Sequence, residues 1–278
     1  MSATGGKDAM EPGFTASEID TSKPHPARMY DAYLGGKDNY AADRAAVRQI
    51  LRAFPEVRAM ARANRAFMQR AVRFLAGEAG IRQFIDIGTG IPSAGNVHEV
   101  AGQVASGARV VYVDNDPIVH VHANALLTGS GTTSIVLADL RDPEAILAHP
   151  KLRGLIDFTQ PVALLLVAIL HFIKDEENPA GIVATLRDAL PGSYLALSHG
   201  TADFHPPGIT DEAAATYERA TAPLVLRTSA QVSAFFDGFE MVKPGLVQAP
   251  LWRPDGRAPR PKDLDKVGIY AGVGRLMA

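Results

Sequence analysis

The stretch that decides the fold is "FIDIGTGIPSAGN", residues 84–96. A short apolar run breaks into two glycines, Gly88 and Gly90, with Asp86 just ahead of them and Pro92 just behind. In an open parallel sheet the ligand crevice lies beyond the carboxyl ends of the strands, and the first strand-to-helix turn borders it. Glycine at such a turn permits dihedrals and a close approach that a side chain would block. A plain tight turn uses the same residues, so their neighbours have to decide. The dinucleotide fingerprint wants a third glycine where Ser93 stands, which disfavours NAD. At Asp86 a pyrophosphate meets an unhelpful negative charge, whereas a ligand carrying an ammonium group meets a partner.

Working outward, strand-like runs appear at "RQFIDIG", "ARVVYVD", "TSIVLAD", "PVALLLVAI" and "SYLALSH". Helix-length stretches lie between them, at 96–106, 117–128, 143–149 and 179–190. Strand and helix in strict turn predict an α/β protein with a parallel sheet covered by helices on both faces. The last third changes register, with a helix through "DEAAATYERATAPLVL" and another capped by Ser229 over "AQVSAFF". Late strands near "FEMVKP" and "KVGIYAGVG" pair as a hairpin at the sheet edge. Ahead of the glycine turn, residues 43–75 read as helix, with Met60, Ala63, Phe67, Ala71 and Phe74 recurring every three or four positions. Gly77 and Gly80 are its stops.

The second strand ends in "VDNDP", where Asp114, flanked by Asn115 and Asp116, is placed to accept both hydroxyls of a ribose. The third ends in "LADLRDP", where Asp139 and the backbone around Leu140 come within reach of an adenine amino group. Taken singly, each is also what a loop carboxylate near a helix start looks like. Three successive strands ending in aspartate at one edge form a pattern.

Composition bounds the partners. With 278 residues, 47% hydrophobic and 21% charged, the chain buries an ample core. A net charge of -2 offers no basic footprint for a nucleic acid. The absence of cysteine excludes disulfides and zinc-thiolate sites and fits a reducing compartment. The start of the chain has no apolar signal region, and the longest apolar run, "PVALLLVAILHFI", is too short to span a bilayer. The expectation is a cytoplasmic protein with a small-molecule partner and no nucleic acid, membrane or metal. His120 and His122, two apart on a helix, do not face each other and make no metal pair.

"DIGTG", "VDNDP" and "ADLRDP" resemble motifs of the class I S-adenosylmethionine-dependent methyltransferases. The chain from about His25 onward is similar to one actinobacterial family of them, formerly a domain of unknown function. The stretches that carry this are "HPARMYDAYLGGKDNYAADR", "RANRAFMQRAVRFL", "RQFIDIGTGIPSAGNVHEVA", "YVDNDP", "LLLVAILHFI" and "FFDGFEMVKPGLV". The resemblance implies a Rossmann-like, seven-stranded, mostly parallel sheet with an antiparallel edge strand. It also implies a methyltransferase that uses S-adenosylmethionine on an unidentified small-molecule acceptor. In that reading Asp86, Gly88 and Gly90 hold the methionyl end, Asp114 the ribose, and Asp139 with Leu140 the adenine, with Asn115 a further cofactor contact.

The organisation expected is a flexible arm over 1–24, rich in Gly, Ser, Thr and Pro, a helical cap or lid over 25–80, and a methyltransferase core over 81–278. "ARMYDAYLGGKDNYAADR" admits two readings. One is a helix ended by Gly35 and Gly36, a capped turn at Asn39 and a second helix from Ala41. The other is a lid, in which Tyr30, Tyr33 or Tyr40 faces a sulfonium and Arg28 or Lys37 pairs with the methionyl carboxylate. His171, after the fourth strand, is the candidate general base, and His199 stands in a similar place at the end of the fifth. Two rival functions stay open: a non-catalytic protein that binds S-adenosylmethionine or a related nucleoside, and an NAD-dependent oxidoreductase.

Overall fold

The computed structural model describes residues 20–127, 131–256 and 258–277. The arm expected over 1–24 lies outside the described residues as far as residue 19.

Three helices come first: α1 (Pro26–Leu34), α2 (Ala41–Ala53) and α3 (Val57–Gly77). Pro26 starts α1 with its φ already set for a helix, and Gly35 ends it in the left-handed region at φ 88°. At Gly36 a Cβ would fall 1.8 Å from Asp31 Oδ1. That carboxylate accepts hydrogen bonds from the Asp38 backbone and the Asn39 side chain and folds the "GGKDN" turn back on the helix. The single helical pattern expected over 43–75 is corrected to two helices. Pro55 disfavours helical backbone at the residue before it, and Phe54 sits at φ -139°, ψ 77°.

The alternating segment follows as β1 (Gln83–Ile87), α4 (Val97–Val104), β2 (Arg109–Asp114), α5 (Pro117–Leu127), β3 (Thr133–Leu137), α6 (Pro143–Ala148), α7 (Pro150–Leu155), β4 (Ala163–Val167), α8 (Pro179–Asp188) and β5 (Tyr194–Gly200). The chain closes with α9 (Asp211–Tyr217), α10 (Ser229–Ser233), β6 (Phe239–Met241), β7 (Val247–Gln248), α11 (Pro261–Leu264) and β8 (Ile269–Leu276). The helix through residue 226 stops instead at Tyr217. Pro223 cannot continue it, and residues 221–227 run as a strap tied by Thr221 N–H to Pro24 and by Val225 N–H to His171. The cap of α10 is Thr228 rather than Ser229: its hydroxyl accepts from Gln231 N–H while the Gln231 side chain accepts from Thr228 N–H.

The strands form one sheet in the order β3-β2-β1-β4-β5-β8-β6, with β7 also paired to β8. β1 to β5 are parallel, and β8 runs antiparallel to β5, β6 and β7. The expected late hairpin is therefore present, with the antiparallel strand one place in from the edge. Strand order reverses between β1 and β4, which puts the topological switch point at the glycine turn.

Alternate side chains feed two cores. Phe84, Val110, Tyr112 and Leu165 pack under α3 and α4, while Ile85, Val111, Val113 and Leu164 pack against α6, α7 and α8. A third cluster joins Met29, Tyr33, Val47 and Ile50 of the first two helices to Ala213 and Tyr217 of α9. No helix among the described residues is long and apolar enough to cross a membrane.

Candidate active site

The carboxyl ends of β1 to β5 open into a cavity of about 230 Å³, roofed by α1 to α3 and by α9 with its strap. The glycine turn forms its floor. Gly88 and Gly90 have φ of 75° and 68°, in the region that side chains rarely adopt. A Cβ on Gly88 would come within 2.6 Å of Ile169, whereas one on Gly90 would meet no atom within 4 Å. Gly88 is thus required by packing as well as conformation, and Gly90 faces open space.

Asp86 is buried in the cavity wall, and burial pushes its carboxyl up to about 6, against a hydrogen bond from Thr89 and the nearby Arg65 charge. Asp114 is buried too. Its two oxygens accept from Gly90 N–H at 2.8 Å and Asp116 N–H at 2.9 Å, yet burial still carries it up to about 7. A carboxylate has about four lone-pair sites, so Asp114 keeps one on each oxygen. Two adjacent hydroxyls match that vacancy.

Asp139 differs. Its oxygens accept from Arg141 backbone N–H, Nε and Nη2 and from Asn115 Nδ2, all at 2.8–2.9 Å. Burial raises its carboxyl, and these donors outweigh burial and hold it below the usual carboxylate range. All four of its acceptor sites are filled. Asp139, expected to take an adenine amino group, and Asn115, expected as a cofactor contact, both line the cavity, with Asn115 Nδ2 donating to Asp139 Oδ2 at 2.9 Å. Leu140, itself buried, lines the cavity beside them.

The amino-terminal candidates divide. Tyr30 and Tyr33 line the cavity, while Tyr40 is exposed and outside it. Lys37 is exposed and does not line it. Arg28 is buried away from it, with Nε 3.2 Å from Asp116 Oδ2 and Nη1 3.8 Å from Asp43 Oδ2. Asp116 also meets His25 at 3.2 Å, so these groups pin the first helices to the end of β2. Neither cation is placed to pair with a ligand carboxylate in the cavity. A cation that sequence reasoning missed, Arg65 on α3, does line the cavity, with its Nη2 donating to Asn96 Oδ1 at 2.8 Å and Ser93 O at 3.1 Å and its Nε sealed without an acceptor. Its signal was its place in "RANRAFMQRAVRFL", on the face opposite the apolar stripe.

The two histidines grip one residue, Gly200. Gly200 N–H donates to His171 Nδ1 at 3.2 Å, and His199 Nδ1 bonds Gly200 O at 2.7 Å. Because an N–H can only donate, neutral His171 carries its proton on Nε2. Because a carbonyl can only accept, His199 is protonated at Nδ1, and its Nε2 accepts from Arg227 at 3.0 Å. Burial holds His171 well below the ordinary histidine range, helped by His199 and Arg227, and brings His199 to about 4. His171, the expected general base, lines the cavity with Nδ1 accepting from Gly200 N–H and, when neutral, its proton on Nε2. His199 lies outside the cavity lining, its nitrogens both engaged.

A family model described as S-adenosyl methyltransferase matches residues 12–277. Among solved structures, a DUF574 family protein from Streptomyces avermitilis is 47% identical, with a TM-score of 0.89 over 93% of this chain and 100% of its own. A Thermobifida fusca protein, provisionally described as a methyltransferase, is 44% identical, with a TM-score of 0.88 over 94% of this chain and 98% of its own. Both sources are actinobacteria. An O-methyltransferase family protein from Burkholderia thailandensis shares the fold alone, at 14% identity and a TM-score of 0.50 over 76% of this chain and 55% of its own. No curated protein matches.

Proposed function

As the chain belongs to the S-adenosyl methyltransferase family, we propose how its cavity divides between cofactor and acceptor and which residues hold each. The enzyme is an S-adenosylmethionine-dependent methyltransferase. The cofactor brings a methyl group on a positively charged sulfur, already activated for displacement. The protein's part is therefore to hold, align and keep water away.

The residues present fit that cofactor. Asp86, raised by burial with no cation bonded to it, stands where a positive ligand group relieves it. The spare lone pairs of Asp114 take the ribose diol. Arg65 takes the methionyl carboxylate in place of Arg28 or Lys37. Gly88 and Gly90 give the backbone its close approach, and Leu140 packs on the adenine. The acceptor lies over β4 and β5, beside His171. Residues 25–80 act as a cap over a core of 81–278, with Tyr30 and Tyr33 facing the reaction. The acceptor is a small molecule, and a cytoplasmic setting suits a cysteine-free chain of net charge -2.

The observation that carries this reading is that one cavity gathers Asp86, Asp114 and Arg65 around a glycine turn whose Gly90 leaves room for a ligand. Calorimetric titration with S-adenosylhomocysteine tests it. Arg65→Met is expected to weaken binding about tenfold or more, the loss of a charged hydrogen bond, while Lys37→Met leaves it unchanged. The reverse order would transfer the role back to Lys37.

A further inference from the structure

Resting on that division of the cavity, we propose that the methyl acceptor is an uncharged, flat, apolar molecule whose oxygen takes a hydrogen bond from His171 Nε2. Charge is distributed unevenly along the cavity. Arg65, Asp86, Asp114, Asp139 and Arg141 all lie at the β1, β2 and β3 end, Arg65 through its bonds to Ser93 and Asn96. From β4, β5, α9 and the 221–227 strap, the lining among the described residues contains no Asp, Glu, Lys or Arg. A charged acceptor placed there would lose its hydration and find no counter-ion, a cost of several kcal/mol.

The walls at that end are mainly apolar, with the rings of Tyr33, Phe54, Phe172 and Tyr217 beside Leu226, and Thr201, Thr210 and Thr221 as the polar exceptions. Phe172 stands 4.4 Å from the His171 ring and 5.5 Å from Tyr217, centroid to centroid, so an aromatic surface adjoins the histidine. Tyr30 is engaged with protein, donating to Ala61 O and accepting from Asn64, while the Tyr33 and Tyr217 hydroxyls pair at 3.4 Å and keep one O–H proton between them. His171 adds a ring N–H to this wall. With Nδ1 held by Gly200, its Nε2–H has no protein acceptor among the described residues, and the atom is not sealed. An accessible N–H lining the cavity is available to an acceptor atom on the bound molecule. Its part is to orient the acceptor by donating to that oxygen.

The test uses the full chain saturated with S-adenosylhomocysteine, whose own titration is done first. If that ligand fails to bind, the cofactor reading falls by itself. The probes are 2-naphthol, naphthalene, 2-naphthoate and 2-naphthylmethylammonium, with binding measured by equilibrium dialysis. The expected result is 2-naphthol bound about tenfold tighter than either charged probe and about fivefold tighter than naphthalene. His171→Leu should abolish the preference over naphthalene, and His171→Gln, which restores an N–H donor, should recover part of it, both with S-adenosylhomocysteine affinity retained. A two-bond nitrogen–proton NMR correlation should show the His171 proton on Nε2. A charged probe binding as well as 2-naphthol, no probe binding up to its solubility limit, a preference indifferent to His171→Leu, or a proton on Nδ1 would each overturn the proposal.

Discussion

Replacing Asp114 by alanine isolates the ribose half of the site. In the ligand-free enzyme its oxygens satisfy Gly90 N–H at 2.8 Å and Asp116 N–H at 2.9 Å, and each keeps a lone pair for a hydroxyl. Alanine removes two charge-assisted hydrogen bonds to the ligand, each contributing about 1.5–3 kcal/mol. The cavity lets water reach the two freed N–H groups, which offsets part of that loss. A net weakening of about 3 kcal/mol remains, roughly 150-fold in Kd. Asp114→Asn is expected to recover little, because its amide NH2 must face one of the two backbone donors. The assay is calorimetric titration of the intact chain with S-adenosylhomocysteine, after a thermal melt has shown that each variant folds. A folded Asp114→Ala protein whose affinity changes less than about threefold would refute the reasoning, since no arrangement of the diol on Asp114 survives that result.

The remaining predictions concern the glycine turn and the buried acids. Gly90→Ala should lower stability by about 1–2 kcal/mol for its left-handed backbone, and should weaken cofactor binding because the methyl enters open space. Gly88→Ala adds a collision with Ile169, typically about 1–3 kcal/mol more, so equal melting temperatures for the two variants would contradict the assignment. Burial raises Asp86 to about 6 and Asp114 to about 7, above their unfolded values. The stability they contribute is therefore complete below about pH 4 and is lost as pH rises through 6 and 7. Ligand-free wild type should lose more stability than Asp86→Asn between pH 5 and 7.5, and S-adenosylmethionine should bind more tightly with rising pH while releasing a proton. Titrations in buffers of different ionisation enthalpy would show that proton, and its absence near pH 6 would count against a buried Asp86 facing a cation.

The parallel strands were readable because each is a short apolar run, and all but β4 end at or near a carboxylate or glycine, a signal contained in a few consecutive residues. "FIDIGTG" needs no distant partner to announce strand, turn and crevice. The boundaries that failed were those where local chemistry overrides periodicity: Pro55 splitting one helical pattern, a helix that stops at Tyr217 ahead of the Pro223 strap, and Thr228 capping ahead of Ser229. In the site, Asp86, Asp114 and Gly90 share one cavity, as the strand-end pattern expected them to.

By itself the sequence determined the alternating architecture, the position of the crevice, the acidic rim and the absence of thiol chemistry, all matters of local pattern and composition. Only the tertiary structure decided which charged groups are spent and which are free. Arg28 is ion-paired with Asp116 and Asp43, Asp139 accepts from Arg141, and the His171 proton is directed by Gly200. Hydrogen-bond capacity is filled by whatever lies within about 3 Å, and such neighbours come from segments far apart in the chain, where no periodicity of sequence records the pairing.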